Sequence, residues 1–266
     1  MLKCTRDVFG LTKCFVILLF PALGLVLSVG AAAAQAADSE FTTNFRFGDC
    51  KFKNKGANAY FILQPGYQLV LEGQEDGEQV RLVVTVLKDT ETVDVPGLGR
   101  VKTRVVEERE SVNGDLVEVS RNFFAICDKT NDVVYFGEEV DICEDGLEPN
   151  GNGFTCNGGE PDHSGAWRAG VDGALPGIIM PGTFLLGSRY FQELAPNAMD
   201  QAEHVEMGLA VDTAAGTFDN CVKVVETTPL EPGAESEKIY CPGVGLTVDD
   251  VLVLVQFGRN IVDDDD

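Results

Sequence analysis

After the first 37 residues, short runs of β-branched and aromatic residues alternate with turn-forming residues. The clearest runs lie at 79–87, 104–106, 116–119, 133–136 and 251–255, and Val, Ile, Tyr and Phe favour strands. Turn signals recur between the runs, at Gly73, Pro96-Gly97, Asn113-Gly114-Asp115, Asn131-Asp132, Pro232-Gly233 and Pro242-Gly243. The pattern predicts an antiparallel all-β protein, with a turn or two of helix only at 198–202.

A weak internal repeat indicates how the strands are organised. Pro65-Gly66-Tyr67 is echoed by Pro181-Gly182-Thr183, and the Val-rich run 104–107 is echoed by 223–226. Chance similarity is the alternative, since both kinds of segment are common in β proteins. The two pairs of similar segments are separated by nearly the same distance along the chain, 116 and 119 residues. This spacing predicts two related antiparallel β-meanders that form a curved sheet or an open, barrel-like sandwich.

The chain opens with the features of a secretory signal peptide. Lys3, Arg6 and Lys13 precede an apolar run at 14–29, and a small-residue segment follows at 31–37. A retained membrane anchor is the alternative, but a bilayer-spanning helix needs roughly 20 apolar residues. We therefore expect a signal peptide at 1–36, export to the periplasm or beyond the cell, and no membrane span after cleavage.

The remaining chain divides by composition into four parts. A first meander is predicted at 37–137, an acidic Gly/Asn-rich surface loop at 138–165, a second meander at 166–262 and an acidic tail at 263–266. The second meander begins with Trp167, the only tryptophan, in an irregular but apolar segment that reaches Met180. We expect Trp167 to be buried at the seam between the halves, and a ligand cleft to use Trp167 and Met180.

Charge narrows the range of partners. The full chain carries a formal net charge of −23, and loss of three basic residues and one acid with the leader leaves 17 basic and 42 acidic residues, a net charge of −25. Such a surface repels nucleic acids and anionic membranes. The expected partner is therefore a small ligand or a protein. The simplest interpretation of the negative charge is that it keeps an exported protein soluble.

Six cysteines remain after the leader, which is typical of three disulfides in an exported protein. The proposed pairs are Cys50 with Cys127, Cys143 with Cys156, and Cys221 with Cys241, although six cysteines allow 15 pairings. A zinc site is disfavoured, because there is no Cys-x-x-Cys pair and the two histidines lack ligand spacing.

The segment 167–181 reads Trp-x-x-Gly-x-Asp-Gly-Ala-x-Pro-Gly-Ile-x-Met-Pro, and it follows a Tyr-Phe-Gly-Glu run at 135–138. With the further segments at 215–233 and 240–246, the chain resembles a group of exported bacterial proteins with no assigned activity. The resemblance covers most of the mature chain but implies no chemistry. Cys143, Cys156 and the glycine-asparagine loop between Glu144 and Pro161 look like an insertion in that group's pattern, and the four terminal aspartates look particular to this chain.

Few residues point to catalysis. Asp162-His163-Ser164 contains the residue types of a hydrolase triad, but consecutive side chains do not converge as a triad must, and there is no Gly-x-Ser-x-Gly motif. His163 is interpreted as an exposed loop residue and His204 as a surface residue. No catalytic or cofactor-binding residue is assigned.

One acidic segment is similar to a calcium-binding loop. Glu148, Asn150 and Asn152 place oxygen-bearing side chains at alternate positions before Gly153, and Asp141, Asp145 or Asp162 are possible additional ligands. The twelfth position is Gly159 rather than an acid. The alternative is a solvated, disulfide-pinned loop.

These observations favour an exported, non-catalytic binding or accessory protein of unknown ligand. The alternatives are a carboxylate-based secreted hydrolase and a calcium-stabilised surface protein. Two close carboxyl groups of raised pKa in a cleft would favour the hydrolase, whereas an apolar cleft without them would favour binding.

Overall fold

The computed structural model describes residues 4–6, 12–14, 40–151 and 153–262. The apolar run and cleavage segment of the predicted leader, Asn152 and the predicted tail at 263–266 lie outside the described residues. Within the leader, Cys4–Arg6 and Thr12–Cys14 pair as two short antiparallel strands.

The described chain is almost entirely strand and turn. The strands up to the middle of the chain are β1 (Cys4–Arg6), β2 (Thr12–Cys14), β3 (Phe52–Lys53), β4 (Gly56–Ala57), β5 (Ile62–Leu63), β6 (Tyr67–Glu75), β7 (Glu78–Val86), β8 (Thr92–Val95), β9 (Gly99–Lys102), β10 (Arg104–Val112), β11 (Asp115–Cys127) and β12 (Val133–Ile142). The later strands are β13 (Leu147–Asn150), β14 (Gly153–Cys156), β15 (Trp167–Arg168), β16 (Leu175–Met180), β17 (Arg189–Phe191), β18 (Glu193–Leu194), β19 (Gln201–Thr213), β20 (Gly216–Thr227), β21 (Glu235–Cys241), β22 (Gly245–Asp249) and β23 (Leu252–Arg259).

One large antiparallel sheet contains both halves. Its order is β17-β19-β20-β21-β22-β23-β6-β7-β10-β11-β12-β16-β18, with β3 and β15 attached at the side. β6 to β12 form one run of sequential neighbours, interrupted by the β8–β9 hairpin, and β19 to β23 form another. The predicted all-β fold is confirmed, and the two meanders join edge to edge through β23 and β6. The sequence repeat between them stays a prediction.

A single short segment brings the two ends of the sheet together into a nearly closed barrel. β17 pairs with β19 and β18 pairs with β16, and only Gln192 separates β17 from β18. Gly177 on β16 permits this approach, because a Cβ there would lie 2.4 Å from the carbonyl oxygens of Phe191 and Gln192. Closure removes the exposed strand edges that favour aggregation.

The core fills the barrel with branched and aromatic side chains from both halves. Phe123, Phe124, Tyr135, Phe136 and Met180 are at most 3% exposed, and they share one cluster with Val222 and Val224 of the second half. The predicted seam residue Trp167 is 6% exposed and packs edge-to-face on Tyr135, with ring centroids 5.0 Å apart. Burial of Trp167 is therefore confirmed.

Two local predictions are wrong. The segment 198–202 is not helical: Ala198 forms a bridge with Ala195, and Gln201 and Ala202 begin β19, because pairing with β20 overrides helix propensity. Within the described ranges the only helical element is a 3₁₀ turn at Phe47–Asp49. Gly73 lies inside β6 rather than in a turn, where a Cβ would meet the Val251 carbonyl oxygen at 2.3 Å.

The predicted acidic loop contains regular structure. β12 extends to Ile142, and β13 and β14 form a hairpin beyond it. Cys143 and Cys156 bridge the base of this hairpin.

The structure contains the three proposed disulfides, Cys50–Cys127, Cys143–Cys156 and Cys221–Cys241. The first ties the segment before the barrel to the end of β11, and the third joins β20 to β21. Disulfides of this number fit an oxidising, extracellular environment. In the part of the chain that the structure describes, no helix is long and apolar enough to span a membrane.

Candidate functional site

Charged side chains lie inside the barrel as well as on its surface. Glu193, Glu226, Lys238 and Asp249 are each at most 3% exposed, although they lie on four different strands. Such groups are rarely buried without partners, because desolvation of a charge costs several kcal/mol. Their arrangement therefore locates the candidate sites.

One group of these side chains surrounds Lys238. Its ammonium Nζ lies 2.9 Å from Asp249 Oδ1 and 3.8 Å from Glu226 Oε2. Burial lowers the pKa of Lys238, but Asp249 and Glu226 outweigh that effect and hold the pKa above its ordinary value. Lys238 stays protonated and is therefore unsuited to act as a nucleophile.

Two carboxyl groups of the same cluster, those of Glu108 and Glu226, have a raised pKa. Burial raises the pKa of Glu108 to about 8, with Lys238 opposing the rise. Burial raises the pKa of Glu226 to about 7, again against Lys238. The adjoining apolar cavity, lined by Phe61, Phe124 and Tyr240, has a volume of about 60 Å³, far below the roughly 300 Å³ of a small-molecule site. We interpret this cluster as structural.

A second region, around Trp167, offers more room. β15 lies against β12 with Trp167 opposite Glu138 and Arg168 opposite Gly137. Gly137 has a φ of +151°, and a Cβ there would meet the Trp167 carbonyl oxygen at 2.8 Å. Glycine at this position therefore allows β15 to place the indole beside the Glu138 carboxyl group.

The outer part of this region is an open groove of about 510 Å³, which we call the Trp167 groove. Its lining includes Glu138, Trp167, Arg168, Val171, Ala195 and Asn197. Arg168 is fixed at the rim by Glu91 and Glu139, at 2.8 and 2.5 Å. Asn197 Nδ2 donates to the Ala166 carbonyl at 2.7 Å, which joins the two sides of the groove. The volume lies within the range of small-molecule sites.

Behind the groove lies a smaller space of about 40 Å³, which we call the acidic cavity. Its lining includes Glu138, Trp167, Glu193, Asp200, Met199 and Leu230, and it shares Glu138, Trp167 and Asn197 with the groove. The volume corresponds to roughly two or three water molecules or one small polar group. The shared residues place the cavity next to the groove.

Two carboxyl oxygens in the acidic cavity lack hydrogen-bond partners. Glu193 Oε1 accepts the backbone N–H of Asp200 at 2.5 Å, but Glu193 Oε2 has no partner. Glu138 Oε1 is likewise unpartnered. Glu193 is 0% exposed and Glu138 is 5% exposed. Buried polar atoms without partners are uncommon in native proteins and point to a missing donor.

The environment also changes how these carboxyl groups ionise. Burial raises the pKa of Glu138 well above its ordinary value, and the charges of Glu118 and Glu108 raise it further. Burial raises the pKa of Glu193 in the same way, with Asp200 adding to the effect. Protonated carboxyl groups avoid the cost of buried charge until a cation or a donor arrives.

Met180 and His163, which the sequence analysis considered for a ligand cleft and for catalysis, line neither the groove nor the acidic cavity. Met180 is 0% exposed in the core and is absent from the lining of both the groove and the acidic cavity. His163 is exposed as expected, with Nδ1 at 2.7 Å from the Val140 carbonyl oxygen, and Ser164 bonds to Asp162 rather than to His163.

The interpretation of His204 as a surface residue is wrong. His204 is 1% exposed and stacks on Phe184 with ring centroids 3.8 Å apart, while its Nε2 lies 2.9 Å from the Tyr190 hydroxyl. Its neighbours Glu203 and Glu206 suggest exposure. Alternation along the strand places His204 on the face opposite Glu203, and the β-bulge between His204 and Glu206 breaks the alternation before Glu206. Burial lowers the pKa of His204 to about 4.

The residues of the predicted calcium site lie on the β13–β14 hairpin. Glu148 and Asn150 are exposed on β13, and Asn152 lies outside the described residues. Throughout the described ranges, no three His, Cys, Asp or Glu side chains converge as a metal site requires. The calcium site stays a prediction.

An acidic basin of about 530 Å³ lies at another position on the barrel. Its charged lining consists of acids from several hairpins, namely Glu75, Asp76, Glu78, Glu110, Asp115, Glu118, Glu144 and Asp145. Most of these are exposed to solvent. The basin is the solvated acidic surface expected from the net charge.

Comparison with known proteins gives no assignment: no family model, no curated protein and no solved structure matches the chain.

Sequence reasoning missed the carboxyl groups of the acidic cavity. Glu138 and Glu193 come from β12 and β18, 55 positions apart, among 42 acids of the mature chain. The available signal is position: Glu138 follows the apolar run 133–136 after a single glycine, Gly137, where a buried strand is expected to continue.

Proposed function

We propose that this is an exported, non-catalytic binding protein that holds a small ligand in the Trp167 groove, with one end of the ligand in the acidic cavity. The observation that carries the proposal is the pair of buried, unpartnered oxygens, Glu138 Oε1 and Glu193 Oε2, on two residues that line the acidic cavity beside the open groove. A ligand in the groove supplies the donors that these oxygens lack.

The proposal that the protein is exported is supported by the predicted leader and by the cysteines. The basic, apolar and small-residue segments at 1–37 have the order of a signal peptide. Three disulfides are stable where thiols are oxidised. The resemblance to exported bacterial proteins through the run 167–181 supports the same location, and that run contains Trp167, Arg168, Val171 and Ala174 of the groove.

The sole tryptophan provides a direct test, because Trp167 lines both the groove and the cavity. A screen of amines, sugars, short lipids and peptides should find a compound that changes tryptophan emission and saturates. Val171→Arg, at a groove residue that is 51% exposed, should weaken that binding at least tenfold. Val205→Arg is the matched control, because Val205 is 41% exposed and lies on β19 outside the groove lining. Equal affinities in the two variants would place the ligand elsewhere.

A carboxylate-based hydrolase is the second candidate, because two carboxyl groups of raised pKa share one cavity. Glu193 is fully buried, however, and about 40 Å³ admits no glycan or peptide beside it. Glu138 alone combines a raised pKa with access to the groove. Turnover of a bound compound, lost in Glu138→Gln with little change in affinity, would favour the hydrolase over the binding protein.

Calcium stabilisation through Glu148, Asn150 and Asn152 is the third candidate. Millimolar calcium should then raise the melting temperature more than magnesium at equal ionic strength, because magnesium demands tighter octahedral geometry. Asn150→Ala with Asn152→Ala should remove the difference. Equal shifts from both ions would reflect screening of the acidic surface alone.

A further inference from the structure

We infer that the acidic cavity recognises an alkylammonium group, the charged end of a primary amine on an aliphatic chain. The inference rests on the proposed function and specifies its ligand. It begins from the unpartnered oxygens Glu138 Oε1 and Glu193 Oε2, which both line the cavity.

The charge of the lining selects a cation. Glu138, Glu193, Asp200 and Glu231 line the acidic cavity, and the described residues of its lining include no Lys, Arg or His. An anion would therefore meet four acids and no basic side chain. A cation replaces the missing donors and balances a carboxylate at the same time.

The number and size of the groups select an ammonium over a metal ion. A metal site needs at least three converging ligands, and the described part of the chain contains no such group. A primary ammonium carries three N–H donors and is satisfied by two or three acceptors. A volume of about 40 Å³ accommodates this head but not a guanidinium with its five donors and planar fork.

The remaining walls suit an aliphatic chain. The cavity is also lined by Trp167 and by the aliphatic side chains of Val140, Ile142, Met199 and Leu230. Leu230 is 48% exposed, so this apolar wall continues to the surface. A short alkyl chain attached to the buried head packs against this wall, and a longer ligand continues into the Trp167 groove.

The test titrates the full mature chain with 1-aminobutane and with 1-butanol, following Trp167 emission and heat. The amine should bind and saturate, and the alcohol, which has the same chain but no charge, should bind at least tenfold more weakly. An alcohol that binds as tightly as the amine would overturn the inference while leaving the proposed function intact. Absence of binding by every compound in the screen would overturn both.

Variants locate the ammonium. Glu138→Gln and Glu193→Gln should each weaken amine binding at least tenfold, whereas Glu144→Gln, an exposed acid outside the cavity, should leave it unchanged. If Glu193→Gln does not fold, the affinity of Glu138→Gln and the comparison of amine with alcohol still test whether the cavity binds an ammonium group. Unchanged amine binding in Glu138→Gln would overturn the inference. Tighter binding of a peptide that has a free lysine side chain and a blocked, N-acetylated terminus than of 1-aminobutane would identify a lysine side chain, rather than a free amine, as the source of the group.

Discussion

At the residue scale, Trp167 connects the fold to the site. Its ring packs on Tyr135, its backbone pairs with Glu138, and its side chain separates the core from the acidic cavity. A residue with these contacts contributes through burial of apolar area as well as through the site it lines.

Trp167→Ala should lower the free energy of unfolding by about 3–5 kcal/mol, as other truncations of large buried aromatic residues do. Trp167→Phe, which keeps an aromatic ring, should cost much less. Urea denaturation followed by circular dichroism gives both values. A loss below about 1 kcal/mol in Trp167→Ala would show that the residue anchors nothing.

Lys238 supports a second residue-scale prediction. Lys238→Met leaves Asp249 without the ammonium at 2.9 Å and should cost about 3–5 kcal/mol, because removal of one partner leaves a buried charge uncompensated. Lys223→Met is the control: its partner Glu237 is half exposed, and exposed pairs contribute about 0–1 kcal/mol. Similar losses in the two variants would contradict the structural role assigned to the Lys238 cluster.

At the element scale, the β13–β14 hairpin is a satellite of the barrel. Its small cluster of Val119, Cys143 and Leu147 is separate from the main core, and its disulfide spans 13 residues. Such an element is expected to open independently of the sheet that carries it.

Replacing Cys143 and Cys156 by serine should therefore increase hydrogen exchange within the hairpin and leave the protection of β6, β7 and β10 unchanged. Replacing Cys50 and Cys127, which are 77 residues apart, should lower the stability of the barrel by about 4 kcal/mol, because the longer closed loop restricts the unfolded chain more. Equal loss of protection throughout the barrel in both double variants would show that the hairpin is part of the main cooperative unit.

Most strands could be predicted from the sequence, whereas contacts between distant strands could not. Val-rich runs such as 79–87 and 133–136 became strands because β-branched residues pack well on a half-buried sheet. Gly73 and His204 were misread because their environments depend on distant strands: the Val251 turn contacts Gly73, and Phe184 covers His204. The acidic cavity escaped prediction for the same reason, since its carboxyl groups converge only when β16 and β18 meet.

At the scale of the whole molecule, acids whose pKa is raised by folding make stability depend on pH. Glu108 has a pKa of about 8 in the folded protein against 4.5 in the unfolded chain. Between these values the folded state holds a proton that the unfolded state has released, so the free energy of unfolding falls as pH rises through this window. Glu226, with a pKa of about 7, contributes in the same direction.

Glu108→Gln should therefore flatten the decline in stability between pH 4.5 and 8, measured by urea denaturation at constant ionic strength. Below pH 6.5 His204 acts oppositely: its pKa of about 4 in the folded state means that stability is lost as pH falls toward that value. The same slope in Glu108→Gln and in wild type would show that Glu108 keeps an ordinary pKa.

The most direct measurement is a crystal structure of the mature protein soaked with 1-aminobutane. The amine nitrogen should lie within hydrogen-bond distance, roughly 2.7–3.2 Å, of Glu138 Oε1 and Glu193 Oε2, with the butyl chain against the apolar wall of the acidic cavity. Water alone in the acidic cavity, at an amine concentration that saturates the change in Trp167 emission, would contradict this prediction.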